Sequence, residues 1–164
     1  MTTIGWQLGT AGASELTDSM VLPAGSTIAS GDKAAAQVAP QIMFLLREDL
    51  EGPGLTAAGV CAAASVAAGL AVTAADGSTV TGIRLAAHAL PCDFDLSLVG
   101  ALLELDGDVV ATAAGAAIAG HPAEAVARFA NERAANGEEP VRIFQANVLM
   151  ILDEIDMIGL QALQ

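Results

Sequence analysis

The chain has 164 residues and a net charge of −13, with 54% hydrophobic residues, four phenylalanines, one tryptophan and no tyrosine. That length suits a single domain over residues 1–164 with one sizeable core, and no internal repeat or boundary interrupts it. The acidic excess and six scattered basic residues exclude a basic patch, so neither nucleic acid nor an anionic membrane is an expected partner.

Residues 2–9 read as a short strand ending in glycine, followed by a loop rich in Gly, Ser and Thr. "SMVLPAGSTI" then gives a brief apolar run with a turn at Pro23-Ala24-Gly25. The compact apolar run at 42–47 has strand length and is closed by "EDLEGPG". Thr56 is placed to cap a helix predicted over 57–68, because its hydroxyl can accept an orphan amide. Residues 55–75 are poor in charge and just long enough to span a bilayer. Their alanines and glycines are weakly hydrophobic and no basic flank follows, so a buried helix of a soluble domain is expected.

"ADGS" at 75–78 marks a turn. Asp106-Gly107 lies between the strand-like runs 96–105 and 108–113, and Asp-Gly there signals a tight hairpin because both turn residues take positive φ. His121-Pro122 opens a helix, with proline where its missing N–H costs nothing. Ala125, Val126, Phe129 and Ala130 give that helix an apolar stripe, and Gly137 stops it. The run "NVLMILDEIDMIGL" has no decisive period, and its first part is read as a strand. Strands outnumber interspersed helices, which predicts an α+β fold: a mixed, mostly antiparallel sheet with a few packed helices.

Few residues offer chemistry on their own. Cys61 and Cys92 are too few for a zinc site or a disulfide framework, and Cys61 reads as an inert thiol in an alanine-rich run. Ser14, Ser19, Ser26 and Ser65 lack a paired His and Asp. "GSTVTG" has no lysine for a phosphate loop. Asp93, Asp95, Glu104, Asp106 and Asp108 read as solvated edges, and His121 as a capping or packing group.

Three stretches together resemble the 2-hydroxypenta-2,4-dienoate hydratase and 4-oxalocrotonate decarboxylase family of the fumarylacetoacetate hydrolase superfamily. They are "GWQLG" with "DSMVLPAGSTI", then "REDLEGPGLTAAGVCAAASVAAGL", and "DFDLSLVGALLELDGDVVATAAGAAIAGHPAEAVARFANERAANGEEP". The resemblance covers most of residues 5–140 and implies a fumarylacetoacetate-hydrolase-type core. It also implies that the chain lacks the family's N-terminal helical portion and is contracted around residues 76–90. Family members hold magnesium or manganese with carboxylates. The resemblance places Ala39 and Gln41 at a Glu-x-Glu, Ala71 at a third glutamate, and Gln7 at a lysine.

Alanine cannot ligate a hard cation, and one neutral amide oxygen does not offset its dehydration. The resemblance, so altered, leads to an expectation of no metal, no cofactor and no hydration or decarboxylation. What remains is an apolar site for a large, mostly apolar ligand with a few oxygens. Gln7 and Gln41 are the candidate catalytic groups, as amides able to stabilise a polarised carbonyl. Trp6, Met20, Ala39, Met43, Ala71 and His88 are the candidate substrate-binding residues. A metal-independent cyclase or rearrangement enzyme, pericyclase included, acting on a polyketide-like substrate in natural-product biosynthesis is one expectation. A non-catalytic ligand-binding or companion subunit is the other. A homo-oligomer is expected, because a shortened scaffold leaves apolar surface uncovered. The N-terminus has neither a basic segment nor an apolar one of the signal-peptide kind, so the expected compartment is the cytoplasm.

Overall fold

The computed structural model describes residues 1–9, 12–23, 36–74, 79–142, 148–151 and 158–159. Its framework is a long antiparallel pair, β3 (Ala36–Leu46) and β4 (Ala64–Ala74), in unbroken register from Ala36↔Ala74 to Leu46↔Ala64. β1 (Thr3–Gly9) and β2 (Gly12–Thr17) form an antiparallel pair at one side, and β5 (Val80–Leu85) adds antiparallel to β4 at the other. β6 (Leu90–Pro91) also pairs with β4. β7 (Gly100–Leu105) and β8 (Asp108–Ala114) make a separate hairpin. β9 (Val148–Ile151) lies between β1 and β3, parallel to the first and antiparallel to the second, and β10 (Ile158–Gly159) pairs with β3. The main sheet order is thus β2-β1-β9-β3-β4-β5.

Two helices are described, α1 (Ala57–Ala63) and α2 (Pro122–Ala135). The predicted helix over 57–68 ends early. Its start stands as expected, with the Gly59 amide donating to Thr56 Oγ1 at 3.2 Å. From Ala64 the chain turns extended, because eleven consecutive residues find partners along β3. Long-range pairing overrides the helical preference of alanine here. The stretch is therefore no membrane helix, and no described helix is long and apolar enough to cross a bilayer.

Other local signals are realised. Asp106 and Gly107 take φ of 50° and 93° at the hairpin turn, and Gly137 takes 72° after α2. The Ala123 amide donates to His121 Nδ1 at 3.2 Å, so His121 caps α2. His121→Ala is expected to lower stability by about 1 kcal/mol, read as a shift in urea midpoint; an unchanged midpoint would show that the cap contributes nothing. The run 96–105 begins instead with a 3-10 turn at Leu96–Leu98, capped by Asp95. The turns proposed at 23–25 and 75–78 lie outside the described residues, apart from Pro23.

Alternation along β3 sorts the core into two sides. Phe44 and Leu46 join Val60, Val66, Val126 and Ala130 on the helix-bearing side. Met43 and Ala71 join Ile4, Leu16, Val80 and Ile83 on the other side, called the inner face below. Asn131 ties α2 to the "GPG" loop: Leu55 donates to its Oδ1 and accepts from its Nδ2, both at 2.9 Å. This gives the glycine-proline loop and the "ANE" segment of the sequence motif a structural task.

Candidate functional site

Ala39 and Ala71 are direct cross-strand partners, so their side chains point to the same face of the sheet. Both are buried on the inner face. Gln41, two residues along β3, opposes Gly69 on that face. Gln7 and Met43 are both register partners of position 150 in β9, which places Gln7 on the same face, two strands away. The fold thus gathers Gln7, Ala39, Gln41, Met43 and Ala71.

The two amides differ in their bonding. Gln7 is 4% exposed and its Oε1 accepts from the Ser14 hydroxyl at 3.2 Å. Gln41 is 5% exposed, yet neither amide atom has a partner among the described residues. Buried amides are normally bonded, so an unpartnered one needs a reason. Met43 lies fully buried beside it, its thioether over Gly69, where a Cβ would stand 2.0 Å from Met43 Cε. A Cβ there would also stand 2.8 Å from the Arg84 carbonyl oxygen, so a side chain at this position requires the backbone as well as Met43 to shift.

Of the other proposed residues, Trp6 and His88 lie elsewhere and Met20 only borders this face. Trp6 is on the helix-bearing side, its ring 5.5 Å from Phe129 with the Arg133 guanidinium 4.7 Å above it. Met20 packs at the edge of the inner-face cluster. His88 is exposed and lines a cavity of about 770 Å³ whose walls also include Ile42, Val66, Leu70, Arg84 and Phe94. Gln41 contributes to the cavity wall as well, but alternation directs its side chain to the inner face. The sequence reading did not single out Arg84 or Phe94, which belong to the contracted stretch and its flank.

Cys61 and Cys92, 31 residues apart, meet at an Sγ–Sγ distance of 2.6 Å. Burial first, then the Cys61 thiol and the Asp93 charge, push the Cys92 thiol from 9.0 up to about 12. A thiol raised by folding lends stability that is complete below its unfolded value and is lost as pH climbs through 9 toward 12. The chain has no tyrosine to titrate in that window. Under reducing conditions the native chain is expected to lose stability across this range more steeply than Cys92→Ala; matching slopes would refute the assignment. Asp95 shows the opposite shift, held low by the Ser97 hydroxyl and amide.

No group of three His, Cys, Asp or Glu among the described residues could hold a metal ion. Ala39, Gln41 and Ala71, where the sequence resemblance implies metal ligands, do not fit one either: two are buried methyls and the third an amide. Hard divalent cations require several oxygen ligands, some of them anionic.

The architecture matches solved structures of the fumarylacetoacetate-hydrolase type. A 4-oxalocrotonate decarboxylase from Pseudomonas putida G7, complexed with magnesium and adipate, superposes with a TM-score of 0.82 over 96% of this chain and 70% of that one, at 22% identity. A protein of Oleispira antarctica described as a fumarylacetoacetate isomerase/hydrolase gives 0.66 over 94% of this chain and 81% of that one, at 12% identity. In sequence, the chain is 30% identical over 139 residues to the 4-oxalocrotonate decarboxylase of Pseudomonas sp. strain CF600, covering 75% of this chain and 53% of that one. It is 32% identical over 145 residues to the 2-hydroxyhexa-2,4-dienoate hydratase of Comamonas testosteroni, covering 74% and 53%. The chain spans little more than half the length of these relatives. No protein-family model matches it. The fold is that of the fumarylacetoacetate hydrolase superfamily. In sequence, the chain is a distant homologue of the 4-oxalocrotonate decarboxylases and 2-hydroxypentadienoate hydratases.

Proposed function

We propose that this chain is a metal-independent enzyme that cyclises or rearranges a large, mostly apolar, polyketide-like substrate. The observation that supports this most is an inner face that is neutral among the described residues: Ala39 opposite Ala71, with the Gln41 amide beside them and unpartnered by any described residue. The described residues of this face offer no carboxylate with which to polarise a 2-keto acid through a metal. The face retains an amide that can donate to one carbonyl oxygen as charge develops there. Cyclisation of a flexible unsaturated chain requires little proton transfer, and orientation supplies up to roughly 7–11 kcal/mol in favourable cases. The atoms balance within the substrate, because an isomerisation takes in and releases nothing.

The test compares metabolites of the source organism with and without the gene. Accumulation of an isomer of equal mass to the normal product is the expected result. A precursor that differs by one water or one carbon dioxide would return the chain to the chemistry named for its relatives. A second reading, a non-catalytic ligand-binding or companion subunit, is favoured by the exposed Leu98, Leu102 and Val109 on and beside the β7–β8 hairpin. We place the contact of a homo-oligomer on that same surface. Unaltered metabolites with reduced flux alone would select this reading.

A further inference from the structure

We propose that the cavity on the helix-bearing side of the sheet is a binding site for an amphipathic monocarboxylate, distinct from the neutral inner face. Strand alternation fixes the location. Ile42 and Val66 belong with the helix-side core, and Leu70 pairs with Arg84 on that same side. Ala39, Ala71 and Met43 point through the opposite face, so the sheet separates the two sites.

The size, about 770 Å³, lies within the range of small-molecule sites. The walls are mostly aliphatic, and three large apolar side chains at the cavity, Leu90, Phe94 and Leu102, remain exposed. The charge pattern selects the head group. Among the described residues, no acidic side chain lines the cavity. The one charged side chain among the described lining residues is Arg84, half-buried, its guanidinium without an ion-pair or hydrogen-bond partner among the described residues. The planar guanidinium fork matches a carboxylate in two parallel hydrogen bonds, and His88 in the same wall offers a further donor. An apolar tail against Ile42, Leu70 and Phe94 leaves a single anionic head for Arg84. A polyanion would leave charge against aliphatic walls.

The probes are dodecanoate and its neutral counterpart dodecanol, titrated into the full chain by calorimetry. Dodecanoate is expected to bind saturably at one site and more tightly than dodecanol. Arg84→Gln should weaken dodecanoate roughly ten- to hundred-fold and leave dodecanol unchanged. Ala68→Phe, which fills the cavity, should abolish both, with circular dichroism confirming the fold of each variant. Absence of saturable dodecanoate binding to the native chain, or equal affinity in Arg84→Gln, overturns the proposal. Binding that survives in Ala68→Phe places the ligand elsewhere and overturns it too. The inference does not depend on the cyclase reading: an unchanged metabolite profile with Arg84-dependent binding would retire the reaction and keep the site.

Discussion

A chain carrying Ala39→Glu together with Ala71→Glu is expected to lose most of its stability in the presence of a chelator and to regain part of it with Mn²⁺. The two positions are direct cross-strand partners, 1% and 0% exposed. Side chains so opposed start about 4.5–5.5 Å apart at their Cβ atoms. Two carboxylates there would be desolvated and would repel each other. An uncompensated buried charge typically destabilises by about 3–5 kcal/mol, a large part of the margin of an ordinary domain. The carboxyls would escape partly by keeping a proton, so the loss should deepen as pH rises from 5 to about 8. A divalent cation bridging both oxygens would offset the repulsion and raise the melting temperature. The native chain, with two methyls and an amide at these positions, should show no shift with Mg²⁺ or Mn²⁺. Stoichiometric metal retained by the native chain after dialysis would overturn the interpretation of Ala39, Gln41 and Ala71. A double variant as stable as the native chain would show that the inner face is wetter than its burial indicates.

Sequence alone reached those parts of the fold whose causes are local. Asp106-Gly107, Thr56, His121-Pro122 and Gly137 each act within one turn, and each stands where its chemistry requires. Legibility failed where pairing partners are distant. Nothing in "ASVAAGLAVTA" declares a strand, because its eleven ladder partners lie in β3. The apolar run at 148–151 carries no mark that it will insert between β1 and β3. The candidate site divides in the same way. The resemblance indicated Ala39 and Ala71 separately, and the register shows them face to face. Trp6 neighbours Gln7 in sequence, but alternation sends it through the sheet to Phe129. Arg84 passed unnoticed because its significance is relational: it lies in the wall of a cavity that no described acidic residue lines. The Cys61–Cys92 contact likewise depends on where α1 ends and β6 begins, which spacing does not encode.

Gln41→Leu is expected to raise stability while it removes activity, a combination that a purely structural residue does not give. The Gln41 amide is 5% exposed, with neither of its polar atoms bonded among the described residues. Leaving such a group unsatisfied costs about 1–3 kcal/mol, and an apolar replacement of similar shape removes that penalty. For a chain of this length each kcal/mol corresponds to roughly 2–4 °C in melting temperature. Natural folds retain an expense of this kind chiefly at functional positions. If the amide donates to a substrate oxygen as charge develops there, its loss should lower turnover about a hundred-fold or more. The neighbouring Met43 supplies the control. It is also buried on this face, but its thioether fills the space over Gly69 and its role is packing. Met43→Leu should therefore change stability by less than about 1.5 kcal/mol and leave turnover within a few-fold. If Gln41→Leu instead melts lower than the native chain, the amide is bonded within the fold and Gln41 is structural. If it melts higher but turns over normally, the inner face is not where the reaction occurs.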